Sequence, residues 1–151
     1  MCLNYITNYQ ITNYKLQITF KMNNLSLDES LYIYKAYVTD VYDGDTITCI
    51  VDCGFNLGIQ KTKIRLYGID TPELRGDDRE IGLFVRDELR KKILNKHIFL
   101  KTIKDKTGKY GRFLGKIYIK ESSENNENNE NSIYLCINDW LLENDYAVVY
   151  K

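Results

Sequence analysis

Histidine is almost missing from this chain: His97 is the only one. It has no ligand partner at metal-binding spacing, and its isolation argues against histidine-metal nucleases and against Ser-His or Cys-His hydrolases. It reads as a surface residue. Proline is as scarce, with Pro72 alone. Glycines are too sparse around Gly108 and Gly111 for a phosphate-cradling or dinucleotide loop. No apolar run approaches the ~20 residues of a membrane span, so no membrane partner is expected. The segment from Met1 to Asn8 has neither a basic region nor a sustained apolar stretch, so no signal peptide is expected and the chain is placed inside the cell.

Cysteine is present but unorganised. Cys2, Cys49, Cys53 and Cys136 have no zinc spacing. On one strand, Cys49 and Cys53 would stand roughly 13 Å apart, too far for a disulfide. They read as reduced structural thiols.

Net charge is also missing, but only in the sum. Residues 1–30 are neutral, residues 31–120 carry a net charge of +6 and residues 121–151 one of −6. The basic middle suits a phosphate-binding surface. At 151 residues the chain is expected to be one domain and a monomer.

Residues 1–30 are rich in Asn, Tyr, Ile and Thr and read as a flexible or variable extension. From Leu31 the pattern turns to strand. Tyr32–Val41 and Thr46–Asp52 are β-rich runs split by the turn signal Asp43-Gly44. Lys61–Tyr67 alternates as a half-buried strand does. Pro72 ends that run and opens a loop. A helix is expected from Asp78 to Leu94, with Ile81, Val85, Leu89 and Ile93 on its inner face, Arg86, Asp87, Arg90 and Lys91 outside, and Asn95 as its cap. His97–Ile103 and Phe113–Lys120 read as strands around a polar loop, 104–112. Glu121–Ser132 is of low complexity and reads as a disordered acidic insert. Ile137–Glu143 reads as a short helix, and Ala147–Tyr150 as extended chain. The expected fold is α+β, mainly β: a five-stranded OB-type barrel with two to three helices, spanning residues 31–151.

Three fragments carry the chemistry: Asp43-Gly44-Asp45-Thr46, Arg65 through Asp70-Thr71-Pro72-Glu73, and Lys109-Tyr110-Gly111-Arg112. Phosphodiester hydrolysis needs positive charge on the phosphate, donors for its oxygens and a placed base. Clustered carboxylates hold a hard cation, and a guanidinium fork grips phosphoryl oxygens. Singly, Asp45 reads as a turn aspartate, Asp70 as a cap, Arg65 as a surface arginine and Glu73 as a loop glutamate.

In this order the three fragments resemble the staphylococcal nuclease (thermonuclease) family, from about Tyr37 to Tyr150. The resemblance implies a calcium-dependent nuclease acting on DNA and RNA with little sequence preference and leaving 3′-phosphate ends. It implies Asp45, Asp70 and the Thr71 carbonyl as calcium ligands, and Arg65, Glu73 and Arg112 as catalytic residues, with Glu73 the candidate general base. Tyr110, with Lys109 beside it, falls at the substrate pocket. Secreted enzymes of the family carry a further helix after the stretch matching Ala147–Tyr150, where this sequence stops at Lys151. Two alternatives stay open: a non-catalytic module binding nucleic acid or protein on the same barrel, and a decayed copy with the right residues on an unstable fold.

Overall fold

The computed structural model describes residues 19–20, 26–104, 113–121 and 133–150. The expected five strands close on themselves. β2 (Ile33–Val41), β3 (Thr46–Asp52), β4 (Gly58–Leu66), β6 (His97–Ile103) and β7 (Phe113–Glu121) form a barrel in the order β7-β4-β3-β2-β6, and pairing of β6 with β7 shuts it. All neighbours run antiparallel except β4 and β7, which are parallel. Alternation drives the assembly: Ala36, Val38 and Val41 of β2 and Ile64 and Leu66 of β4 point inward and are buried. A closed barrel leaves no edge among these five strands.

Around the barrel sit β1 (Thr19–Phe20), α1 (Leu27–Ser30), β5 (Ile69–Asp70), α2 (Arg79–Ile93, preceded by a 3₁₀ turn at Gly76–Asp78), β8 (Ile133–Cys136), α3 (Ile137–Glu143) and β9 (Val148–Val149). β1 lies inside the stretch read as an extension, yet it pairs with Leu135 and Tyr134 of β8. Glu121 belongs to β7, whereas residues 122–132 of the expected insert lie outside the described residues.

The α2 helix packs on the barrel with the expected face except at its first turn. Gly82, Val85, Leu89 and Ile93 are buried, while Ile81 is 56% exposed. Four-residue spacing overshoots a turn of 3.6 residues, so the inward stripe drifts and reaches position 82 at its start. Only glycine fits there, because a Cβ would lie 2.5 Å from the Glu73 carbonyl oxygen and 2.7 Å from that of Pro72. Arg90, expected outside, instead donates to the Val41 carbonyl from Nε (3.2 Å) and a terminal nitrogen (2.9 Å). Asn95 ends the helix in the left-handed region at φ 57°, as its capping role requires.

The α3 helix is pinned by a buried amide. Asn138 accepts from Ile117 N (3.0 Å) and donates to the carbonyls of Tyr67 (3.0 Å) and Gly115 (3.3 Å). It ties the end of β4, the middle of β7 and α3 together. Cys53 falls just past β3 rather than on it, and Cys49, Cys53 and Cys136 are all free. His97 is exposed, its ring 5.1 Å from that of Tyr37. No described helix is long and apolar enough to cross a membrane.

Candidate active site

The site forms where the β2–β3 turn meets β5. The Asp43 carboxylate accepts from Asp45 N at 3.1 Å, which folds the turn back and aims Asp45 inward. Asp45 therefore precedes β3 rather than lying on it, and is only 2% exposed. Asp70 sits on β5, which the chain reaches through a turn at Tyr67-Gly68, rather than at the end of β4. That turn brings Asp70 back beside Arg65.

Arg65 joins the two carboxylates. One terminal nitrogen donates to Asp45 and the other to Asp70 at 2.6 Å. The second oxygen of Asp45 accepts from the backbone N and the hydroxyl of Thr71, both at 3.2 Å, and its first from the Thr46 hydroxyl at 3.1 Å. Even so, burial, with the charge of Asp43 beside it, pushes the Asp45 carboxyl from 3.8 up to about 6, against the pull of Arg65.

Glu73 follows on the exposed loop after Pro72. Together with Asp70 and Thr71 it lines a groove of ≈ 290 Å³ whose other wall is Asp145 to Val148. The C-terminal wall is held by pairing of Asp70 with Val148 and Ile69 with Val149, and by Tyr150 N donating to Gly68 O at 3.0 Å. Tyr150, which extended-chain reasoning did not single out, places its ring 5.9 Å from the Arg65 guanidinium carbon. The structure thus brings together Asp45, Arg65, Asp70, Thr71 and Glu73. Lys109, Tyr110 and Arg112 lie outside the described residues; β7 starts directly after them, with Leu114 paired to Arg65.

The donor set suits a hard cation. It is all oxygen, and its two carboxylates face the two terminal nitrogens of one guanidinium. Among the described residues no group of three or more His, Cys, Asp or Glu side chains converges, so any further ligands would be backbone oxygens, water or substrate.

The family model described as staphylococcal nuclease homologue matches residues 63–151. The chain belongs to this family. No curated protein matches it. Of the site residues, Arg65, Asp70, Thr71, Glu73, Lys109, Tyr110 and Arg112 fall inside the matched span and Asp45 lies before it. Asp45 enters the site through its ion pair with Arg65.

Proposed function

We propose that the protein is a calcium-dependent nuclease that hydrolyses DNA and RNA with little sequence preference and leaves 3′-phosphate ends. The observation that carries this reading is the single guanidinium of Arg65 held between Asp45 and Asp70, the latter lining the groove that also contains Glu73.

The carboxylates of Asp45 and Asp70, with the Thr71 carbonyl, would hold calcium. Bound there, calcium supplies positive charge to the phosphate and draws electron density from phosphorus. The protein's own groups do the rest. Glu73, exposed to the groove, accepts a proton from the attacking water. The water oxygen bonds to phosphorus as the bond from phosphorus to the 5′-oxygen breaks, and the departing 5′-oxygen takes a proton from solvent, giving a 3′-phosphate and a 5′-hydroxyl. Arg65 and Arg112 donate to the equatorial oxygens as charge gathers there. Tyr110 and Lys109 hold the neighbouring nucleotide. The arginines and the ion address the backbone, which carries no base information, so specificity is weak. Single-stranded or frayed substrate is favoured, because a groove this narrow takes a splayed nucleotide.

The test is digestion of single-stranded DNA and RNA in calcium, in magnesium and in chelator, beside Glu73→Ala and Arg112→Ala. Calcium-dependent cleavage that both substitutions depress strongly, with 3′-phosphate ends, supports the enzyme. Folded protein that binds the strands without cutting them supports a binding module instead.

A further inference from the structure

The β3–β4 hairpin carries features that the cleavage chemistry leaves unused. Along β4, Lys63 and Arg65 share the outward face, alternating with the inward Thr62, Ile64 and Leu66. Lys61 is exposed as well, at a point where the strand gains a residue. The register slips between Cys49 and Val51, so Gln60 and Lys61 together oppose Ile50. Neither Lys61 nor Lys63 pairs with a carboxylate among the described residues. At the hairpin tip Phe55 is 96% exposed, and its φ of 53° lies in the left-handed region. A large apolar residue in that backbone conformation, in water, is disfavoured on both counts and points to a role outside the fold.

We propose that this hairpin is a track for single-stranded nucleic acid running away from the cleavage site. Lys63 and then Lys61 take successive phosphates beyond the one at Arg65, and Phe55 stacks on a base at the far end. The proposal rests on the nuclease reading only for the point from which the strand departs.

Three physical points support it. Arg65 and Lys63, on the regular part of β4, stand ~6.6 Å apart, a step close to that between neighbouring phosphates of an extended single strand; Lys61, at the extra residue and with φ 50°, follows off that spacing. In a duplex the phosphates follow at ~3.4 Å along the axis and wind out of line. The face involved belongs to the second and third strands of the barrel, where OB-type barrels receive oligonucleotides. Finally, a basic line ending in an exposed aromatic ring combines the two forces that hold single strands without reading sequence: phosphate attraction and stacking. From Arg65 to Gly58 the strand runs about 23 Å, so Phe55 serves only strands several nucleotides long.

The experiment is fluorescence anisotropy of labelled oligothymidylates of increasing length, from a dinucleotide upward, binding the full chain across a salt series. Chelator is present, so nothing is cut. The variants are Lys61→Gln/Lys63→Gln and Phe55→Ala, with thermal melts to confirm that these surface changes leave the fold intact. The double lysine variant is expected to lower the slope of log K against log salt by about 1.4, two contacts' worth for a single strand. Phe55→Ala is expected to weaken the longer oligomers by roughly ten-fold while leaving the slope unchanged. An unchanged slope in the lysine variant, or losses as large for the dinucleotide as for long strands, overturns the track. Wild-type protein that binds with this length dependence yet never cleaves in calcium overturns the nuclease reading and leaves the track standing. Wild-type protein that cleaves, with variants binding as it does, has the reverse meaning.

Discussion

A Cβ on Gly82 would lie 2.5 Å from the carbonyl oxygen of Glu73. The α2 helix packed on the barrel therefore also sets the height of the loop carrying the proposed base. Gly44 is as tightly placed against the start of the loop, where a Cβ would come 2.7 Å from the Thr71 hydroxyl and 2.8 Å from Val85 of the same helix. The segment Thr71-Pro72-Glu73 thus lies against two positions where only a missing side chain leaves room. Gly82→Ala must push this loop outward. It should destabilise the fold by about 1–3 kcal/mol through overpacking and lower kcat by roughly 100-fold through misplacement of Glu73. Urea melts and single-turnover cleavage measure the two effects. Leu89→Ala, on the same helix face but remote from the loop, should cost about 2–5 kcal/mol by leaving a cavity with little loss of kcat in the folded fraction. Equal kcat losses in the two variants would show that Gly82 acts only through stability.

Asn138 satisfies one backbone N–H and two carbonyls where almost no water reaches, being 1% exposed. Asn138→Ala leaves the Ile117 N–H buried without a partner and frees the end of β4 from α3. The expected loss is about 3 kcal/mol, since each orphaned buried group costs about 1–3 kcal/mol. Asn138→Asp keeps the acceptor for Ile117 but replaces both donors with negative charge facing two carbonyls, so it should be at least as harmful. A urea midpoint for Asn138→Ala within error of wild type would refute this account.

The five barrel strands and both longer helices were legible from alternation and from spacing because each buries one face on a single core. Ile81 was misplaced for a tertiary reason: the inward stripe starts at Gly82, and nothing local announces that Pro72 and Glu73 will lie against it. Asp45, Arg65, Asp70, Thr71 and Glu73 were readable as one set through the family pattern, whereas composition alone left each a turn or surface residue. Their mutual geometry was not readable. That Arg65 spans Asp45 and Asp70 depends on the turn at Tyr67-Gly68 bringing β5 back to β4. Asn138 and Tyr150 gave no signal beyond helix start and extended chain, because their partners are distant in sequence.

Burial pushes the thiols of Cys49 and Cys136 from 9.0 up to about 11 each. Both groups are neutral in the folded protein at pH 10, whereas in the unfolded chain they ionise above 9. The stabilisation is therefore fully present below pH 9 and is lost as pH rises through 11, by up to about 1.4 kcal/mol per thiol for each pH unit. Thermal midpoints should fall across this window, and Cys49→Ser/Cys136→Ser should flatten the fall while lowering the midpoint at neutral pH. At pH 8, thiol-reactive dyes should label Cys53 ahead of Cys49 and Cys136, which react only as the protein unfolds. Rapid labelling of Cys49 in folded protein would contradict its burial.

Arg65 and Asp45 stand in an unequal relation, and the inequality can be measured. Asp45 is buried, with Arg65 as the only cation bonded to it among the described residues. Removing the guanidinium by Arg65→Met leaves a desolvated carboxylate, a change that costs about 3–5 kcal/mol in buried pairs. Asp45→Asn removes the buried charge itself, and Arg65 keeps Asp70 as a partner, so the loss should be smaller. If calcium binds between Asp45 and Asp70, it must compete with Arg65 for both carboxylates in the wild type but not in Arg65→Met. Calcium should therefore raise the melting temperature of Arg65→Met more than that of wild type, and should leave that of Asp45→Asn nearly unmoved. Catalysis should respond in the opposite sense, since Arg65→Met gains ion affinity while losing a donor to the phosphate. Calcium titrations followed by thermal melts, with magnesium and chelator as references, decide the matter. Equal calcium shifts in all three proteins would place the ion elsewhere and leave the Arg65 bridge as a purely structural contact.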